Sequence, residues 1–341
     1  MNNLKKIGFT ALAGSLAVFS VSNADITLGG SSELTYTTDN GGNISEITGN
    51  PYGMSHTITF TGTGELSNGI GYTVYSEMAG QDMVADSSYM QFDAGDFGKF
   101  GIDQGVGQYG IGTIALSIPT AYEEADHATG VLADGLDVTG DMNVLGYINT
   151  IMGVSINLEY NPTTGGAVAS QAGANSGEGA GMKNANVALK YSIPGVDGLE
   201  VRAGYSQNRV HGTTGSDKTS GVNGDGDEEM TAAAVYAWGP LKAGYQRSEI
   251  QSSGAAVGGE SVEAMGVAFN VNDSLSISYG INDNTLDVPS GTDVTEESVG
   301  YMAAYTMGSA SVRLAINETD NVNGVVNQTD ENMEISLKLS F

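Results

Sequence analysis

A strict two-residue period is the feature that most constrains this chain. In Met333-Glu334-Ile335-Ser336-Leu337-Lys338-Leu339-Ser340-Phe341 every odd position is large and apolar and every even one is polar or charged. Side chains alternate faces along a strand, so this segment has one oily face and one wet face; a helical period would smear the pattern around the surface. The segment stops on an aromatic. In a soluble sandwich such a strand would present an open, aggregation-prone edge. In a membrane barrel it closes onto the first strand, with Phe341 at the lipid interface.

The same period recurs along the chain. Val154, Ile156, Leu158 and Tyr160 oppose Ser155, Asn157 and Glu159, and Leu275, Ile277, Tyr279 and Ile281 oppose Ser276, Ser278, Gly280 and Asn282. Between such runs the breaks alternate in length. Ser67-Asn68-Gly69, Gly95-Asp96-Phe97-Gly98 and Gly239-Pro240 read as tight turns, whereas long glycine-rich breaks, the largest from 105 to 140, read as loops. A soluble sandwich has no need to gather its long connections at one end. Roughly sixteen segments with alternating connection lengths predict an all-β fold, a transmembrane antiparallel β-barrel with long external loops and short periplasmic turns. Aromatics gather near strand ends as two interfacial girdles: Phe97, Phe100, Trp238, Phe269, Tyr305 and Phe341 by the short turns, and Tyr36, Tyr89, Tyr160 and Tyr279 towards the long loops. Two segments blur the alternation, Met142 to Asn149 and the alanine-rich Ala232 to Trp238.

Residues 1–24 stand apart. Lys5 and Lys6 precede an apolar run from Ile7 to Val21, and Ser22-Asn23-Ala24 supplies small residues for cleavage, so the stretch reads as a secretory signal peptide removed after Ala24. Residues 25–341 then form a single barrel domain.

Charge and motifs narrow the functional classes. The sequence holds 12 Lys and Arg against 40 Asp and Glu, a formal charge of −28. Nucleic acid, which needs a cationic surface, is not an expected partner. With no cysteine, disulfides and thiolate chemistry are ruled out. Gly105-Val106-Gly107-Gln108-Tyr109-Gly110 matches a dinucleotide fingerprint, but the following Ile111-Gly112-Thr113-Ile114 and Pro119 open no helix of a βαβ unit, so the glycines bend the chain into a loop. His56, His127 and His211 lie in separate segments, with neither metal spacing nor a nucleophile elbow, and no enzyme chemistry or cofactor is expected. Asp225, Asp227, Glu228 and Glu229 gather hard oxygens suited to Ca2+ on an external loop, without the spaced ligands of an EF-hand; a solvated acidic loop is the other reading.

The signal peptide, the alternating strands, the oversized third external loop, Phe341 and the stretch Gly95-Asp96-Phe97-Gly98-Lys99-Phe100-Gly101 together resemble the Gram-negative general porins. The resemblance implies that 105–140 folds into the lumen as the constriction and that three barrels form a homotrimer. It also implies an outer-membrane setting among lipid and lipopolysaccharide, and passive diffusion of small hydrophilic solutes and ions. Within that loop it places Glu123, Glu124 and Asp126 at the narrowest zone. Alternation turns Glu33, Glu77 and Asp103 inward, with the later bases Lys190, Arg202 and Arg313. General porins commonly face the loop acids with arginines on early strands, but here Lys99 is the one Lys or Arg between Asp25 and Asp103. A cation-preferring pore is therefore expected; pairing of the loop acids with Arg202 or Arg313 would cancel that preference. A solute-specific channel, or a structural or adhesive barrel with a plugged lumen, would share the same strand pattern.

Overall fold

The computed structural model describes residues 25–44, 49–80, 83–126, 136, 142–167, 176–210, 228–251, 259–287 and 291–341, and the expected signal peptide lies outside them. Sixteen strands follow one another: β1 (Asp25–Gly42), β2 (Tyr52–Glu65), β3 (Gly71–Ala79), β4 (Val84–Asp93), β5 (Lys99–Gln104), β6 (Met142–Ile151), β7 (Val154–Ala167), β8 (Ser176–Ser192), β9 (Leu199–Val210), β10 (Glu228–Trp238), β11 (Leu241–Gln251), β12 (Glu260–Asn270), β13 (Leu275–Leu286), β14 (Val294–Met307), β15 (Ala310–Asp320) and β16 (Thr329–Ser340). Each pairs antiparallel with its neighbours in the chain, and β16 returns to β1, closing a barrel. Closure removes the sheet edge, which is what a strand crossing hydrocarbon requires.

The strand faces are inverted relative to a soluble protein. Outward stand Ile26, Leu28, Phe60, Leu145, Met265, Ile277 and Leu337, all exposed, whereas Asn186, Ser206, Gln246, Asn282, Ser298, Asn317 and Asn332 point inward and are buried. An oily exterior around a polar interior is stable only if the solvent outside is lipid. Among the described residues no helix is long and apolar enough to cross a membrane, so the strands do the crossing. Exposed Phe97, Phe100, Trp238, Tyr305 and Phe341 ring the short-turn end, and the tilted pairs Tyr36–Tyr52 and Tyr279–Tyr301, at 5.2 and 5.3 Å between ring centres, lie towards the other. Tyr89 departs from the expected girdle. It is paired with Asp103 on the inner wall and stacks on Tyr75 at 5.2 Å.

Two further departures have local causes. β4 begins at Val84, five residues before the apolar alternation starts at Tyr89, because a register shift between Ser76 and Met78 accommodates Asp86 and Ser87 as a bulge and lets Ala85 and Val84 pair with Met78 and Ala79 of β3. The connection from β3 to β4 is therefore short. In β6 the apparent break in parity resolves with Leu145 outward and Val144 and Gly146 inward, after a shift between Asp103 and Gln104 opposite Asn143, whose φ is +61°.

The seam is sealed by the last residue. Phe341 N–H donates to Gly30 O at 3.0 Å and Gly30 N–H to Phe341 O at 3.1 Å. The Phe341 ring lies over Gly30, where an added Cβ would stand 2.7 Å from Cζ and 2.6 Å from Thr57 O. Gly62, on the outer face of the neighbouring β2, offers a contrast, since its Cβ would meet nothing nearer than Val74 O at 3.9 Å. Gly30→Ala is expected to destabilise the barrel by roughly 1–3 kcal/mol through overpacking at the seam. Gly62→Ala should be close to neutral. The temperature at which the folded form loses its characteristic electrophoretic mobility reads both.

Candidate pore constriction

The segment after β5 turns into the lumen at its first residues. Asp103, fully buried, accepts hydrogen bonds from the backbone N–H groups of Val106 and Gln108, both at 2.8 Å, and caps the turn. Gly105, Gly107 and Gly110 hold φ of +85°, +73° and +70°, a left-handed backbone that glycine adopts without cost from a side chain. The dinucleotide-like fingerprint is thus the root of the third loop. Asp103, expected to line the pore, is instead sealed beneath that root, because the short backbone turn needs an acceptor there more than the lumen needs a charge.

From the root the loop follows the inner wall round the barrel. Tyr109 lies across Gly101 and Gly146 and its hydroxyl accepts from Gln91 Nε2 at 3.1 Å; burial pushes its pKa up. Gly110 N–H donates to Asn157 Oδ1 at 2.9 Å and Ile111 N–H to Asn186 Oδ1 at 2.8 Å. Ile111 and Ile114 fill the space over Gly204 and cluster with Leu136 and Ala188. Gln246 of β11 is the central clasp: its Oε1 accepts from Ser117 N–H while its Nε2 donates to Ala115 O at 2.7 Å and Ile114 O at 3.3 Å. Ile118 and Pro119 then cross Gly244 and Gly266, Ala121 N–H donates to Ser278 Oγ at 2.8 Å, and Ala125 lies against Gly300. Strands β7, β8, β11 and β13 thus offer an amide or hydroxyl to the loop backbone, and β6, β9, β11, β12 and β14 offer a glycine that leaves room for it.

The loop's far end is fixed at the seam. The Tyr122 hydroxyl donates to Glu334 Oε1 and approaches Glu33 Oε1 at 3.4 Å, and the Arg313 guanidinium lies 4.2 Å over the Tyr122 ring. Arg313 is bound to Glu33 and donates to Ser336 Oγ at 2.8 Å; Thr37 Oγ1 donates to Glu334 Oε2 at 2.7 Å. Asn332 Nδ2 reaches Asp126 O at 3.4 Å. β15, β16, β1 and the loop meet in this knot.

Three of the sequence-predicted acids, Glu123, Glu124 and Asp126, fall in this last stretch, all partly buried. Burial, reinforced by the negative charge of Glu334, pushes the Glu123 carboxyl up to about 7. Burial, and then the hydrogen bond to Glu334, raises the Tyr122 hydroxyl as well. Glu33 joins the knot from β1, whereas Glu77 stays on β3, accepting from the Tyr75 hydroxyl. Arg313 is bound to Glu33, and Arg202 to Glu200 at 2.7 Å; Lys190 faces Arg202 in register on the neighbouring strand.

The Ca2+ reading finds no support in the part of it that is described. Asp225 and Asp227 lie outside the described residues, and Glu228 and Glu229 are successive strand residues on opposite faces. Glu228 is outward and accepts from Gln207 Nε2 at 2.9 Å; Glu229 is inward and buried. The two cannot converge on one ion from there, and no group of three potential ligands stands together among the described residues. His56 faces outward and hydrogen-bonds Ser32 at 2.8 Å; His127 and His211 lie outside the described residues.

A family model for Gram-negative porins matches residues 8–335. The chain belongs to the Gram-negative porin family. Its place is thereby the outer membrane, and its barrel a porin channel. Among solved structures, this porin resembles the trimer form of OmpT from Vibrio cholerae, with a TM-score of 0.65 at 14% identity over 93% of this chain and 99% of that one. OmpF of Salmonella typhi in complex with daunomycin gives 0.65 at 14% over 93% and 97%, and an anion-selective porin from Comamonas acidovorans 0.60 at 13% over 94% and 100%. At such identities the likeness is one of fold. No curated protein sequence matches.

Sequence reasoning passed over Tyr122, Glu334, Gln246, Asn157, Asn186 and Ser278, which hold the loop. Their one signal was an amide or hydroxyl two residues from a small inward residue, as in Gly244-x-Gln246 and Ser278-x-Gly280.

The raised pKa of Glu123 carries a sign. Between its ordinary value of 4.5 and about 7 the folded protein holds a proton that the unfolded chain releases, so stability is fully present below the window and falls as pH rises through it. Glu123→Gln should flatten that dependence, as read by thermal midpoints of both proteins across the same pH range. A wild type whose midpoint rises across the window would contradict the placement of Glu123 against Glu334.

Proposed function

We propose that this porin is a diffusive channel for small hydrophilic solutes and ions, that its pore is narrowed by the third loop, and that it favours cations. The observation that carries this reading is how two of the inner-wall bases, Arg313 and Arg202, are engaged. Arg313 and Arg202 are each bound to a wall acid, Glu33 and Glu200, which leaves the loop acids Glu124 and, above about pH 7 where it is ionised, Glu123 uncancelled by these two cations. Across the ring from Gln246, β2 and β3 present Thr57, Thr59, Thr61 and Glu77 inward, with no lysine or arginine on either strand. Charges spaced within a Debye length of about 8 Å at physiological ionic strength still act on a passing ion.

The surroundings follow the same reading. The apolar band faces acyl chains, and the outward carboxylates Glu263, Asp283, Glu297 and Asp320, in register across β12 to β15 above that band, stand at the level of lipopolysaccharide headgroups. Residues 1–24 act as the export signal. A homotrimer is supported by the trimer form of the similar OmpT.

Reversal potential and single-channel conductance of the purified protein in a planar bilayer under a KCl gradient test the proposal. Stepwise conductance with a cation-selective potential is expected, and Glu123→Gln combined with Glu124→Gln should lower the cation-over-anion permeability ratio roughly twofold or more. Anion selectivity in the wild type would overturn the charge assignment. Absence of conductance from folded, inserted protein would favour a plugged structural barrel.

A further inference from the structure

The loop's course depends on side chains the wall lacks. A Cβ added at Gly244 would stand 2.7 Å from Pro119 Cδ, 3.3 Å from Ile118 Cα and 3.5 Å from Ser117 O. One added at Gly266 would stand 2.9 Å from Pro119 O and 3.1 Å from Ile118 Cβ. At Gly204 it would meet Ile111 Cγ1 at 2.6 Å and Ile114 Cδ1 at 3.0 Å. The two sides of these contacts are not equally free to move. Each wall strand is hydrogen-bonded to a neighbour on both sides in a closed ring, whereas residues 114–121 are held by Gln246, Ser278 and local contacts. At Gly244 and Gly266, where the contacts include loop backbone, added volume therefore pushes the loop towards the lumen, whereas at Gly204 it meets the side chains of Ile111 and Ile114.

We propose that the inward glycines Gly204, Gly244 and Gly266 are positioning residues that set the cross-section of the pore, by letting residues 111–119 sink one side-chain depth into the wall. The loop's own acids give the aperture its charge, and the wall gives it its width. The proposal rests on residues 105–126 bounding the conducting path, and its test is arranged so that failure of that reading shows separately.

The measurement is single-channel conductance in planar bilayers, with electrophoretic mobility of the unheated protein confirming a folded barrel. Gly244→Ala with Gly266→Ala should reduce conductance by roughly a quarter or more, since a displacement near 1 Å removes that share of a narrow aperture. Gly280→Ala is the matched wall control, because its Cβ would meet Met265 O at 3.7 Å and Ala125 Cβ at 3.9 Å, ordinary contacts, and conductance should stay at the wild-type level. Adding Pro119→Ala to Gly244→Ala deletes the Cδ that the new methyl meets and should restore conductance, which a general loss of stability would not allow. If the double variant does not fold, Gly266→Ala alone poses the same question with a smaller displacement. Folded Gly244→Ala or Gly266→Ala barrels that conduct as the wild type does, or a Gly280→Ala barrel that loses as much as they do, would overturn the proposal. A wild type that does not conduct would instead defeat the diffusive reading itself.

Discussion

The closed ring of backbone hydrogen bonds is the constraint from which the rest of this molecule follows. In hydrocarbon no water is available for a strand's N–H and C=O groups, so β1 must find β16, and every intervening strand must find two partners. Sixteen strands closed in this way enclose more space than their side chains can fill. The surplus is wet, which is why Asn186, Gln246, Asn282 and Asn332 line the interior. Part of that wet lumen is occupied by the third loop, which lies against the inner wall.

That loop meets the same requirement inside the barrel that the strands meet in lipid. Its backbone is shielded from bulk water along the wall, and an irregular segment has no ladder of its own. Asp103, Asn157, Asn186, Gln246 and Ser278 supply the missing partners at the root, along the path and beyond its middle. Anchoring and electrostatics then become coupled at the far end. Tyr122 is held by Glu334 beneath the Arg313 guanidinium, and Arg313 is neutralised by Glu33. The same contacts that pin the loop pair Arg313 with Glu33, so on the proposed reading an acid-rich lining is a by-product of how the loop is fastened.

The barrel was largely legible in the sequence because a two-residue period survives wherever one face meets lipid and the other water. It failed where that contrast faded. Val84 to Ser88 is mostly small and polar on both faces, so the start of β4 was missed, and Tyr89 was assigned to a girdle although the register turns it into the lumen. Of the candidate site, the acids Glu33 and Glu123 were visible as residues, but their meeting with Glu334 and Tyr122 was not, because it depends on which strand stands beside the loop's end. Gln246 looks like any other wet-face residue until the loop lies over it. In the Asp225 to Glu229 run the first two acids lie outside the described residues, and strand geometry sends Glu228 and Glu229 to opposite faces, which could be read only once β10 was known to begin at Glu228.

The central claim is that the third loop rests on the wall and leaves an open path beside it. Because the chain contains no native cysteine, Ile118→Cys with Gly266→Cys places two lone thiols where the Cβ positions lie 3.1 Å apart, near the spacing of about 3.5–4.5 Å that a disulfide spans. The account predicts that this pair cross-links under mild oxidation in the folded, membrane-inserted barrel, and that the cross-linked barrel still conducts. Thiols that stay reduced in the folded barrel would contradict the loop's course, and a cross-link that abolishes conductance would contradict the open path beside it.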